Sequence, residues 1–115
     1  MRKIYHLSTC STCKRIISAL NLDDSFQFQD IKINKITLKQ IEEMVKLSGT
    51  YESLFSKRAI KYKELGLKDK DLNEADFKNL ILTDYTFLKR PVFIIDQKIF
   101  IGNDKKTIEL VAKFL

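Results

Sequence analysis

Metal ligands are scarce in this chain: it has two cysteines, both in one short stretch, and a single histidine, His6. A structural zinc site takes four protein ligands, so the composition argues against a metal centre. Apolar runs are short as well, and none approaches the roughly 20 residues of a membrane span. The N-terminal Met1-Arg2-Lys3-Ile4-Tyr5-His6 has no long apolar segment and no small-residue cleavage site. Both absences point to the cytoplasm, without membrane partners. In that compartment paired cysteines are more often catalytic, sensing or metal-binding than structural. Basic blocks are missing too. The net charge of +6 comes from Lys and Arg scattered among acids, as in Lys68-Asp69-Lys70-Asp71. That pattern fits a lysine-rich solvated surface, or a basic rim that attracts an anionic substrate or acidic partner, better than direct nucleic-acid binding. There is no repeat, no low-complexity linker and only one proline, Pro91.

What remains is ordinary globular material. The 115 residues, 44% apolar and 31% charged, suffice for one domain with a single core. Its chemistry concentrates in Leu7-Ser8-Thr9-Cys10-Ser11-Thr12-Cys13-Lys14-Arg15. The apolar run before it reads as a strand, and residues 12–20, with Ile16, Ile17, Ala19 and Leu20, read as a helix. A strand that delivers C-x-x-C onto a helix N-terminus suits a redox dithiol, because the macrodipole and free N–H groups stabilise a thiolate at Cys10. Cys10 is then the candidate nucleophile, and Cys13, inside the first turn, the candidate resolving thiol. The competing readings are a metal pair, a structural disulfide and two inert core thiols. A disulfide closing so short a loop restrains little chain. The polar neighbours Ser8, Thr9, Ser11 and Thr12 suit an exposed loop more than an inert core.

Residues 26–31 alternate apolar and polar, the signature of a half-buried strand. Thr37 and Gln40 form a capping box for a helix with Leu38, Ile41, Val45 and Ser48 on one face and Gly49 as its stop. Residues 51–67 read as a broken helix packed through Leu54 and Phe55, then Ile60, Tyr62 and Leu65, and Asn73 caps a further helix carrying Phe77, Leu80 and Ile81. Two apolar runs, 91–95 and 98–101, flank Asp96-Gln97 as a hairpin, and Asp104 opens a last helix. The predicted class is α/β: a thioredoxin-like β-α-β and β-β-α arrangement over 1–115, with a helical insertion at about 37–87.

Arg90-Pro91 stands directly before the hairpin. A proline there can simply start an edge strand. It can also be a cis-proline that turns Arg90 toward the cysteines, where a guanidinium would lower a thiolate pKa and hold an oxyanion bidentately. The triplet Ser56-Lys57-Arg58 reads as solvated unless a family pattern raises it, and His6 as a half-exposed strand residue.

Three blocks in order, Thr9-Cys10-Ser11-Thr12-Cys13-Lys14, Tyr62-Lys63-Glu64-Leu65-Gly66-Leu67 and residues 87–95 with the later Ile101-Gly102, resemble the arsenate reductase family of the glutaredoxin-coupled type, including its Spx regulator branch. The resemblance covers nearly the whole chain. It implies a thioredoxin-like fold with a helical insertion, a catalytic cysteine at Cys10 and an oxyanion-binding arginine at Arg90 before Pro91. It implies no bound cofactor, and glutathione or glutaredoxin as the thiol co-substrate. A second family arginine aligns near Ser56 or Lys57, with Arg58 displaced by about two positions, and a third is replaced near Gly102. Cys13, Arg58 and Gly102 instead resemble the Spx branch, which carries a C-x-x-C switch and binds the RNA polymerase α subunit rather than DNA. The expected function is thus a thiol–disulfide oxidoreductase with Cys10, Cys13 and Arg90 as catalytic residues and Arg58, Arg90 and Pro91 binding substrate. The alternative is a redox-switched regulator.

Overall fold

Short β-branched and aromatic runs at both ends of the chain form one mixed sheet. In the computed structural model, which describes residues 1–115, β1 (Arg2–His6) and β2 (Gln27–Asp30) run parallel, joined by α1 (Ser11–Leu20). A parallel pair requires such a crossover. β3 (Val92–Ile95) lies antiparallel against the other side of β1, and β4 (Lys98–Ile101) antiparallel against β3, giving the order β2-β1-β3-β4. Asp96 turns the hairpin with φ 55°, a conformation that Asp tolerates better than most residues. The last helix is Lys105–Lys113, capped by Asp104.

The chain divides into two compact units, one formed by Met1–Asn34 with Arg90–Leu115 and one by Lys35–Lys89. In the first, side chains alternate across the sheet. Ile4, Phe93 and Ile95 project to the face where Ile16 of α1, Val111 of the C-terminal helix and Phe26 complete a buried cluster. Each such side chain contributes roughly 1.5–3 kcal/mol on full burial. The opposite-facing Tyr5, Val92 and Ile94 are buried as well.

The second unit is built from short helices: α2 (Leu38–Ser48), α3 (Ile60–Glu64) and α4 (Glu74–Thr83), with 3₁₀ turns at Glu52–Leu54, Leu67–Asp69 and Tyr85–Phe87; the C-terminal helix Lys105–Lys113 of the first unit is accordingly α5. Capping boxes open α2 (Thr37 with Gln40) and α4 (Asn73 with Asp76), satisfying N–H groups that have no partner within the helix. Phe55 is the hub of this unit, with ring centroids 4.9 Å from Phe77, 5.2 Å from Phe87 and 5.8 Å from Tyr62.

Three local expectations are corrected. The α2 residues that are fully buried are Ile41 and Met44, while Val45 and Ser48 are half-buried and Leu38 is 50% exposed; which part of the apolar stripe is covered is a choice that periodicity does not make. In the broken helical region Ile60 and Leu65 are exposed and Leu67 is buried, because a helix of barely more than one turn presents no continuous face. In β2 the expected inward Phe28 is 49% exposed, while Gln29 is buried and donates from Nε2 to the Asn34 carbonyl at 2.9 Å. β2 is an edge strand, and the amide is accommodated because its hydrogen bond is made locally.

Candidate functional site

Strand directions bring the chemistry together. Tyr5 pairs with Val92 across the antiparallel β1–β3 ladder, and His6 with Asp30 across the parallel β1–β2 ladder. The end of β1, the end of β2 and the start of β3 therefore meet at one edge of the sheet. From it run the Leu7–Cys10 turn, the segment after Asp30, and Arg90-Pro91, whose peptide bond is cis.

The Cys10 N–H donates to the Leu7 carbonyl at 3.0 Å, closing the turn. Cys10 is then the N-cap of α1, with φ −90° and ψ 114°, and its carbonyl accepts from the Lys14 N–H at 3.1 Å. The first turn contains no acidic side chain, so nothing local opposes the positive end of the helix dipole. Cys10 is half-buried, Cys13 fully buried, and both are free thiols.

The two thiols are driven in opposite directions. Partial burial pushes the Cys10 thiol up, but hydrogen bonds from the Cys13 N–H, the Cys13 thiol and the Thr12 N–H, with the Arg90 charge, outweigh it and leave the pKa lowered. For Cys13, burial dominates and, with the neighbouring Cys10 charge, raises the pKa to about 11 despite the Leu7 N–H and Arg90. Cys10 is thus the more readily ionised of the pair, beside a Cys13 thiol that donates to it. A thiolate is the nucleophilic form, and a protonated neighbour is held in reserve for a second step.

Cys10, Cys13, Arg90 and Pro91, singled out from sequence, thus share one site. Pro91 starts the segment leading into β3, and its carbonyl accepts from the Gly102 N–H at 3.0 Å, which ties the cis turn to the end of β4. Gly102 has φ 98°, a region that glycine enters without strain. Arg58 lies in the second unit, exposed just before α3, where it lines a surface cavity with Lys57, Ile60, Lys63 and Glu64. No three metal-ligating side chains stand together, and no helix is long and apolar enough to cross a membrane.

Sequence reading missed the surroundings of the turn. The Ser8 hydroxyl donates to Asp30 Oδ2, and the Lys32 N–H to Asp30 Oδ1 at 3.0 Å. His6 stacks edge-on against Phe28 with centroids 5.7 Å apart, and burial lowers its pKa although Asp30 pulls the other way. An acid closing a strand just before a turn is the only sequence hint of this cluster, since its partner Ser8 is 22 residues away.

Known proteins agree with this architecture. A "possible arsenate reductase" of Streptococcus mutans UA159 superposes with a TM-score of 0.72 at 28% identity, covering 96% of this chain and 97% of that one. The arsenate reductase of Vibrio cholerae superposes with a TM-score of 0.78 at 17% identity, covering 99% and 97%. The global transcriptional regulator Spx of Lactiplantibacillus plantarum is 23% identical over 108 residues, 91% of this chain and 81% of the regulator. With the ArsC family model matching residues 5–111, across both the C-x-x-C turn and the cis-proline, the chain belongs to the ArsC family.

Proposed function

We propose that the protein is a small cytoplasmic thiol–disulfide oxidoreductase in which Cys10 is the nucleophile. The observation that carries this reading is the opposite tuning of Cys10 and Cys13 at one helix N-terminus beside Arg90. With a glutathione mixed disulfide, the Cys10 thiolate attacks the glutathione sulfur and releases the substrate thiol. Cys13 then attacks the Cys10 sulfur, releasing glutathione and leaving a Cys10–Cys13 disulfide for an external thiol such as glutaredoxin to reduce; in the other route a second glutathione attacks the glutathione sulfur, releasing the Cys10 thiolate and glutathione disulfide. With arsenate, Cys10 displaces an oxygen ligand as water. Attack by the second thiol on Cys10 then passes two electrons to arsenic, yielding arsenite and a disulfide. Arg90 stabilises the negative charge in either case, since a guanidinium matches an oxyanion bidentately. Pro91 sets the direction of Arg90. Arg58 is assigned to anion binding by the family resemblance, supported by its basic neighbours Lys57 and Lys63. No bound cofactor is required by these steps.

The test is turnover of arsenate or of a glutathione mixed disulfide with glutathione and glutaredoxin present. Activity that vanishes in Cys10→Ser supports the reading; no turnover by the native protein overturns it. The similarity to Spx, together with the second cysteine of the motif, favours one alternative. In it, the Cys10–Cys13 disulfide switches binding to the RNA polymerase α subunit. Redox-dependent capture of that subunit without turnover would select this alternative.

A further inference from the structure

The turn that presents Cys10 has only one internal backbone hydrogen bond, from Cys10 to Leu7. Its middle is anchored from outside, by the Ser8 hydroxyl on the Asp30 carboxylate at the end of β2, with the Ser8 N–H facing the same carboxylate. Asp30 is itself fixed, because its other oxygen accepts from the Lys32 N–H two residues on, an Asx turn that pins the side chain. Both carboxylate oxygens are therefore engaged by different segments. The adjacent His6, with its pKa lowered from 6.5 by burial, is largely neutral at pH 7 and does not draw the carboxylate away as a cation would.

The charge of Asp30 and its hydrogen bond have opposite consequences for Cys10. A negative charge near a thiolate disfavours it. A fixed turn favours it, because the Thr12 and Cys13 N–H groups stabilise the sulfur only where the N-cap geometry holds it in front of them. We propose that Asp30 is a positioning residue, which latches the Cys10 turn by accepting the Ser8 hydroxyl, and that this latch rather than its charge governs the reactivity of Cys10. The proposal rests on the thiol reading above. It does not depend on which substrate or partner that thiol serves.

The experiment is the rate of Cys10 alkylation by iodoacetamide as a function of pH, with the labelled site mapped by mass spectrometry, in the native protein and in Ser8→Ala, Asp30→Ala and Asp30→Asn. Asn can keep its carbonyl on the Lys32 N–H and donate from its amide to the Ser8 oxygen, so it preserves the bond to the Ser8 side chain and removes the charge. Ser8→Ala removes the hydroxyl bond, leaves the Ser8 N–H facing Asp30 and keeps the charge, whereas Asp30→Ala removes all three. In Ser8→Ala and Asp30→Ala the alkylation midpoint should rise by about half to one pH unit, lowering the thiolate fraction below the midpoint by about three- to tenfold. Asp30→Asn should stay within about twofold of native. Faster alkylation in Ser8→Ala or Asp30→Ala, an unchanged Ser8→Ala, or an Asp30→Asn that slows as far as Asp30→Ala would each overturn the proposal. If Asp30→Ala does not fold, Ser8→Ala and Asp30→Asn decide it. A native midpoint at or above about 8.5 would overturn the thiol reading itself, and the latch with it.

Discussion

The two compact units of this protein place their polar groups with different emphasis. In Lys35–Lys89 helix N-termini are satisfied across three residues by Thr37 with Gln40 and Asn73 with Asp76, and Asp84 accepts the Thr86 N–H two residues on, while Glu74 reaches the Tyr51 and Glu52 N–H groups to join two helical pieces. In the unit of Met1–Asn34 and Arg90–Leu115 the site joins distant segments: Cys13 and Thr12 beside Cys10 do most to favour its thiolate, and Arg90 adds its charge from far along the chain. Local polar placement is robust and says little about function. A site assembled from distant segments exists only once the sheet has formed, and that is where chemistry can be set by register.

Substitutions can break this contrast. The largest effect is expected in the second unit, in its aromatic cluster. Phe55→Ala should cost about 3–5 kcal/mol of stability, read by urea unfolding, because Phe55 is buried against Tyr62, Phe77 and Phe87. A loss below about 1 kcal/mol would mean that local capping, not the cluster, holds the unit together.

Next in size is the effect of Arg90. Its charge lowers both thiols, so Arg90→Ala should raise the alkylation midpoint of Cys10 and slow labelling at pH 7 by several-fold, while Arg90→Lys should retain part of the effect. Throughout, Cys13 should resist labelling until the pH nears 11. Equal labelling of both cysteines at pH 7 would contradict the asymmetry from which the site is read.

The smallest effect belongs to Asp84. Partial burial works against its carboxylate, but the Lys61 ammonium and the Thr86 hydroxyl and N–H prevail and hold the pKa down at about 2. A depressed acid stabilises the fold above its unfolded value of about 3.9, and that contribution is lost as pH falls toward 2. Asp84→Ala should cost about 1 kcal/mol at pH 7 and flatten the fall in stability between pH 4 and 2. An unaltered acid limb would assign that fall to other carboxylates.

Local signals were legible wherever a few neighbouring residues settle a structure. The Thr37 capping box, the Asn73 cap, the Asp96-Gln97 turn and the strand–turn–helix around Cys10 could all be read directly, since each rests on contacts within about four residues. The exposed Phe28, the buried Gln29 and the solvent-facing Ile60 and Leu65 could not. Hydrophobic periodicity identifies an amphipathic segment, but which of its rows is covered depends on what packs there.

The C-x-x-C and the Arg90-Pro91 pair were likewise visible as separate motifs. By its own residues the chain determined the C-x-x-C pair, the α/β element order and the helix whose N-terminus favours a thiolate at Cys10. Only the tertiary structure decided that Arg90 acts on both thiols, that burial separates Cys13 from Cys10, and that Ser8 reaches Asp30. The reason is physical: capping and turn formation act over a few residues, whereas pKa values and side-chain hydrogen bonds answer to whatever the sheet register brings near.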